Sequence, residues 1–232
     1  MQINDLFDYE PLKIYQNEKY FKFSLDSILL AEYVDKKLSN KKVLDLCCGN
    51  GAILMILAYY GFTDLTGIEL QKEIYDLANN SINHNGFNNI NLINDDINNI
   101  SNTLKSEAFD VVTINPPYFK VNDESIINDN SIKAIARHEI RLDLDGIFKN
   151  ASYVLVNNGI MYMVHRTNRL FEIANIAKQY RLTIKEVVLL SPKEDQYEMC
   201  LIKFVKNGND GTKVKAINNL NNYKSYKNMF ER

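Results

Sequence analysis

The chain is short of cysteine and histidine and shows no excess of either charge, and each shortage excludes something. Cys47, Cys48 and Cys200 are the only cysteines, and two of them are adjacent inside an apolar stretch. That is neither a disulfide framework nor a zinc spacing, and it predicts a reducing compartment, the cytoplasm. The three histidines, His84, His138 and His165, are scattered, so no metal site is expected. The formal net charge of −2 gives no global sign of a nucleic-acid partner. No stretch reaches the roughly 18 apolar residues that a spanning helix needs. The opening "MQINDLFDYE" is acidic and lacks an apolar run, so neither a signal peptide nor a membrane partner is expected. Nothing recurs at the roughly 20–50-residue period of a solenoid.

What is present is an ordinary globular balance, 46% hydrophobic and 24% charged over 232 residues, enough for one α/β domain. The charge is unevenly spread. Residues 206–232 carry six Lys/Arg and two Asp/Glu, a surplus of +4, which leaves about −6 on the rest. A basic tail of this kind suits phosphate.

Strands and helices alternate from Lys41 onward. "KVLDLCC", "LTGIEL", "INLINDD", "FDVVTINPPY" and "GIMYMVH" read as strands. "AILMILAYYG", "QKEIYDLANNSINHNG", "LDLDGIFKNASYVL" and "NRLFEIANIAKQY" read as helices between or after them. Such alternation implies parallel pairing through right-handed crossovers. The last two strands, "TIKEVVLLSP" and "EMCLIKFVK", are joined by a short polar loop and should pair antiparallel. The expected organisation is a cap over residues 1–40, an α/β domain over 41–205 and a basic tail over 206–232. Phe119–Glu139 reads as a long polar insertion, and such loops are usually functional or mobile.

The chemistry gathers where strands end. In "VLDLCCGNGAIL" a strand runs through a turn with Gly49 and Gly51 into a helix. Glycines admit a ligand close to the backbone, and the helix N-terminus offers free N–H groups. Eighteen residues past Gly51 stands Glu69, placed to accept both hydroxyls of a ribose. A dinucleotide fingerprint would need a third glycine and a diphosphate on the helix. Here instead Asp45 lies inside the first strand and Asp96 follows the third. Acids after three successive strands suit a cationic adenosine compound without phosphate, S-adenosylmethionine. Asp45 would lie near its amino-acid part, Glu69 with Leu70 near the ribose, and Asp96 with Ile97 near the adenine amino group.

The fourth strand ends in Asn115-Pro116-Pro117-Tyr118. Two prolines cannot continue a strand. The corner does suit a planar amino group such as adenine N6, a poor nucleophile because its lone pair is delocalised. The Asn115 side-chain oxygen and the Pro116 carbonyl are two acceptors for its two hydrogens. Holding both draws the nitrogen toward tetrahedral geometry. The prolines stiffen the corner, and Tyr118 offers a face for a base taken out of its stack. No catalytic base is evident, and none is required if the proton leaves after methyl transfer.

"DLCCGNG" together with "NPPY" resembles the class I S-adenosylmethionine-dependent amino-methyltransferases, over about residues 20–205. That resemblance implies a seven-stranded, mostly parallel Rossmann-like sheet of order 3-2-1-4-5-7-6 with strand seven antiparallel. It departs at Cys47, which stands where the class often has its first glycine. The segment "YFKFSLDSILLAEYV" and the later "IARHE" resemble the bacterial tRNA(Val) adenine N6-methyltransferases, which modify the adenine 3′ of the anticodon. The matching positions are Phe21, Phe23, Asp26, Leu29, Leu30 and Ala31. The resemblance implies an opening helix over the cofactor, with Lys22, Ser24 and Asp26 in reach of it.

The partner expected is therefore the tRNA anticodon stem-loop, with no obligate protein partner. Lys120, Lys133, Arg137, Lys213, Lys215, Lys224 and Lys227 are the candidate phosphate contacts, and Tyr223 and Tyr226 the candidate base-stacking rings. Protein-glutamine methyltransferases share the corner but usually carry a separate N-terminal domain. DNA adenine enzymes usually add a target-recognition domain. Each remains an alternative, as do a ribosomal RNA substrate and a silent cofactor-binding scaffold.

Overall fold

A computed structural model describes residues 2–17, 24–117, 143–194 and 196–230. Its centre is an eight-stranded sheet. A hairpin, β1 (Gln2–Asp5) and β2 (Lys13–Gln16), comes first, then helix α1 (Leu25–Tyr33). The alternation follows as β3 (Lys42–Leu46), α2 (Ala52–Tyr59), β4 (Asp64–Glu69), α3 (Lys72–His84) and β5 (Ile90–Asn94). Next are the short α4 (Ile100–Thr103), β6 (Phe109–Ile114), α5 (Leu144–Val154), β7 (Leu155–Arg166) and α6 (Leu170–Gln179). The chain ends with β8 (Leu182–Leu190), β9 (Met199–Lys206) and β10 (Lys213–Ile217).

The order across the sheet is β10-β8-β9-β7-β6-β3-β4-β5, parallel throughout except for β9. Seven of these strands reproduce the expected order and its one antiparallel member. The eighth, β10, lies in what reads by sequence as a solvated basic tail. Its alternation of lysine with apolar residues is too short to stand out, and it becomes a strand by pairing with β8 from Lys213↔Glu186 to Ile217↔Leu190.

Two apolar layers sandwich the sheet. One gathers α1 and α2 over Val43, Val111, Tyr162 and Val164, and the other gathers α5 and α6 over Leu44, Val112, Met161 and Met163. Alternate residues of each strand serve opposite layers, as the pleat requires. Helix α1 is buried from Ser27 to Tyr33, and a helix buried on all sides must be covered on its outer face too. The C-terminal tail covers it. Phe230 packs edge-on against Tyr33 at 5.3 Å, while Tyr162 of the sheet meets the same ring at 5.5 Å.

Glu32 of α1 is fully buried. Its carboxylate accepts hydrogen bonds from the hydroxyls of Tyr9 and Tyr60, from Lys36 Nζ at 2.9 Å and from the Asn228 N–H at 3.0 Å. A buried charge is tolerable only when so surrounded. This one ties together the N-terminal segment, α1, the end of α2 and the tail; burial first, and then the Glu32 carboxylate, raises both tyrosine pKa values above their ordinary range.

The expected boundaries change accordingly. Residues 1–40 hold a hairpin as well as a helix, and the hairpin docks on α3 through a Lys13–Asn85 pair and Tyr15 N–H to Ser81 Oγ at 2.9 Å. Residues 206–232 carry buried core side chains, Leu220 and Tyr226. Leu220→Ala should therefore destabilise the protein by about 2–5 kcal/mol, lowering Tm by roughly 4–20 °C in thermal unfolding. A tail that merely floated in solvent would leave Tm unchanged.

Candidate active site

The order of strands reverses between β3 and β6, so the crevice beyond their carboxyl ends is where an α/β sheet of this kind holds a ligand. Asp45, near the end of β3, is fully buried, and Thr113 of β6 donates to its Oδ1 at 2.7 Å. Oδ2 is buried with no hydrogen-bond partner among the described residues. Burial raises the Asp45 pKa to about 7, against the pull of the Thr113 hydrogen bond and with help from the Glu69 charge.

Residues 47–51 form the turn. Cys47 stands at φ 60° and Gly49 at φ 56°, and Gly51, at φ 83°, caps α2. The left-handed region is natural for glycine and costly for other residues. Cys47 therefore takes the backbone shape of the glycine it replaces. Burial, then the neighbouring Glu69, Asp45 and Asp96, raise its thiol pKa, so it stays protonated. A Cβ built on Gly49 would meet nothing within 4 Å, so the turn opens onto space that a ligand can approach.

Glu69 closes the other side. It is 6% exposed, and both of its oxygens are engaged: Oε2 accepts the Gly49 N–H at 3.0 Å and Oε1 the Gln71 N–H at 2.8 Å. Burial raises its pKa and these backbone hydrogen bonds oppose the rise. Each carboxylate oxygen retains a second lone pair for a ribose hydroxyl. The acid is thus also the brace of the glycine turn. Asn94 of β5 fixes the neighbouring backbone by donating to the carbonyls of Glu69 and Leu70 at 2.8 and 3.1 Å.

Asp95 and Asp96 divide the work of the third strand end. Asp95 is consumed by its own loop, accepting from the Asp96 N–H, Thr103 Oγ1 and Asn99 Nδ2, and the Thr103 bond lowers its pKa. Asp96 caps the following turn, which begins at the buried Ile97, with one oxygen, Oδ1, accepting the Asn98 N–H at 2.9 Å.

Asn115 follows β6, on the α1 side of the sheet. Its Nδ2 donates to Ser27 Oγ of α1 at 2.9 Å. That bond orients the amide, and sequence reading missed it because Ser27 and Asn115 lie 88 residues apart without a shared motif. Pro116 is buried and Pro117 half-buried. At the start of α1, Ser24 is the N-cap without a side-chain capping bond, and its Oγ is buried without a partner among the described residues. Asp26 lies in the first turn. Lys22, Tyr118, Lys120, Lys133 and Arg137 lie outside the described residues.

Among the described residues, the expected RNA contacts are not brought together with this crevice. Lys213 and Lys215 lie on β10, four strands from β6, roughly 19 Å at the usual strand spacing. Lys215 is paired with Glu186 at 3.1 Å, and Lys224 is exposed. Tyr226 is 7% exposed and donates to the Leu220 carbonyl, so it has no face left for a base. Tyr223 is half-exposed and stacks on it at 6.2 Å. Lys227 lies over the Tyr59 and Tyr9 rings. Because α2 runs away from the glycine turn, Tyr59 at its far end puts Lys227 towards the end of the sheet away from Asn115. The physical reason is common to both: the tail's aromatic and basic residues fasten it over α1 and α2.

A strand-reversal crevice with a buried acid, an open glycine turn, a braced glutamate and an Asn-Pro-Pro corner defines a class I S-adenosylmethionine-dependent methyltransferase. Residues 37–218 match a family model described as a methyltransferase domain, and the chain belongs to that family. It is 25% identical over 228 residues to the tRNA1(Val) (adenine(37)-N6)-methyltransferase of Haemophilus influenzae (strain PittEE), covering 86% of this chain and 96% of that protein. It is 26% identical over 200 residues to the enzyme of the same description from Porphyromonas gingivalis (strain W83), covering 82% and 77% respectively. In fold it is similar to the crystal structure of a predicted O-methyltransferase from Agrobacterium tumefaciens, with a TM-score of 0.68 and 20% identity over 88% of this chain and 91% of that one.

Proposed function

We propose that this methyltransferase modifies N6 of an adenine in a tRNA anticodon loop, adenine 37 of tRNA(Val), in the cytoplasm and without an obligate protein partner. The observation that carries the reading is Asn115, its amide oriented by Ser27 beside the buried acids of the crevice. The names of the matched relatives support the same substrate.

The residues present suit the cofactor. The unpartnered Asp45 Oδ2 is a seat for a cationic amino group, and the space over Gly49 admits the ligand beside the turn. Glu69 would take the ribose hydroxyls with Leu70 beside them, and Asp96 and Ile97 would flank the adenine. Ser24 and Asp26 would approach from α1. S-adenosylmethionine supplies an electrophilic methyl group on its sulfonium. Asn115 Oδ1 and the Pro116 carbonyl accept the two hydrogens of the substrate amino group and turn its lone pair toward that methyl. With the cofactor bound, its methyl would pass from sulfur to the nitrogen so held, which would then give up one proton to solvent. The stiff proline corner limits the entropy lost in holding this geometry.

Incubation with labelled cofactor and unmodified total tRNA, followed by nucleoside analysis, tests the reading. N6-methyladenosine is the expected product. Label in protein alone would assign a glutamine substrate, label in ribosomal RNA or DNA another nucleic acid, and cofactor binding without transfer a silent scaffold.

The Asp45 seat also sets a pH dependence. With a folded pKa near 7, Asp45 is protonated in the free protein below that value, and a bound ammonium group favours its ionised form. Binding should release a proton, and affinity should be about tenfold weaker at pH 6 than at pH 8. The stability of the free protein moves the opposite way. The raised pKa contributes stability that is complete below the ordinary carboxylate value and is lost as pH rises through about 7. Calorimetric titration in buffers of different ionisation enthalpy measures the released proton, and Asp45→Asn should abolish both the release and the slope.

A further inference from the structure

We infer that the rim at the carboxyl end of β7, from Arg166 to Phe171, is a contact site for the RNA strand beside the target base, an inference that rests on the tRNA reading above. Ile114 of β6 pairs with Met163 of β7, so Arg166, three residues further on, stands at the height of the Asn115–Pro117 corner on the adjacent strand. Tyr162 packs against Tyr33 of α1, and residues two and four along a strand share its face. Arg166 therefore projects on the α1 side of the sheet, the side on which Asn115 reaches Ser27. Its ion pair with Glu198 is long, at 3.7 Å, and both side chains are about half-exposed or more. Such a surface pair is weak and exchanges readily for a phosphate.

Phe171 follows on the same rim, as the second residue of α6. It is 84% exposed, and the next most exposed large apolar side chain among the described residues, Val214, is 65% exposed. The turn beneath it is pinned. Arg169 forks onto Glu172 through two bonds of 2.9 and 2.7 Å, so the first turn of α6 is held and the ring stands on a fixed base. An exposed aromatic ring at the start of α6 and an exposed guanidinium at the end of β7, on one rim of the sheet, suit single-stranded RNA: a base stacks on the ring, and the cation takes the backbone. Lys213, Lys215 and Lys227, on the far edge and far end of the sheet, do not offer that combination.

Binding of an unmodified tRNA transcript across a salt series tests this in the full chain. Phe171→Ala should weaken binding by roughly 5- to 150-fold, the contribution of one stacked base, with the salt slope unchanged. Arg166→Gln should weaken it and lower the slope by about 0.7–0.9, the counterion equivalent of one phosphate. Both should leave cofactor affinity and Tm at wild-type values, since neither side chain is buried. The chain contains no tryptophan, so F171W is a unique fluorescent reporter, and its emission should be quenched as tRNA is added. If the wild type methylates tRNA while both variants bind it with wild-type affinity and F171W emission does not change, the rim inference is overturned and the tRNA reading stands. A wild type that transfers no methyl group to tRNA overturns both.

Discussion

Asn115→Ala is expected to reduce methyl transfer by roughly 10²–10³-fold, the usual cost of removing one preorganised polar group that acts in the transition state. Cofactor affinity should change little, because the acids of the crevice remain in place. The effect should fall on kcat rather than on tRNA affinity, since the amide acts on the geometry of the reacting nitrogen and not on the grip of the RNA. Single-turnover transfer, measured beside cofactor binding, separates the two. Wild-type transfer by the variant would overturn the two-acceptor mechanism. Fold loss is a poor alternative explanation for any deficit, because Asn115 sits past the end of β6 and its bond to Ser27 is one polar contact beside a large apolar layer.

Glu69→Ala should weaken cofactor binding by about 1.5–3 kcal/mol, the cost of unpairing hydrogen bonds to a charged group, or roughly 10- to 150-fold. The structure gives this loss a second source. The same carboxylate accepts the Gly49 and Gln71 N–H groups, so its removal frees two partly buried donors and loosens the turn. Glu69→Gln probes the brace. It keeps one acceptor oxygen but must present an NH2 to one of the two backbone N–H groups, so its affinity should fall nearly as far. Unchanged affinity in the alanine variant, measured by calorimetry, would overturn the ribose assignment.

The acids show how much of the site is legible in a linear sequence. Asp45, Glu69 and Asp96 are visible because a parallel sheet places the ends of successive strands side by side, so acids at those ends must converge. The alternation of strand and helix is legible from the same regularity, whereas the seven-strand order comes with the family resemblance. Asn115-Pro116-Pro117 is visible because two prolines at a strand end are conformationally explicit. Tyr226 and Lys227 are different. Their composition suits RNA, but composition says nothing about whether a side chain is already engaged. Tyr226 is buried over Leu220, and Lys227 lies on Tyr59, 168 residues away in sequence. Glu32 looks like a surface acid in a helix and proves to be a fully buried four-way junction.

By itself the sequence determined the alternation of strands and helices, the glycine turn that ends the first strand, the acids at three strand ends and the proline corner. All of these depend on local backbone preference and on a period that each segment states independently. Only the tertiary structure decided which groups are occupied: Glu69 bracing Gly49, Asn115 turned by Ser27, β10 added to the edge of the sheet and the tail fastened over α1. These are pairings between segments far apart in the chain. Burial in one shared core sets them, and no segment carries that information alone.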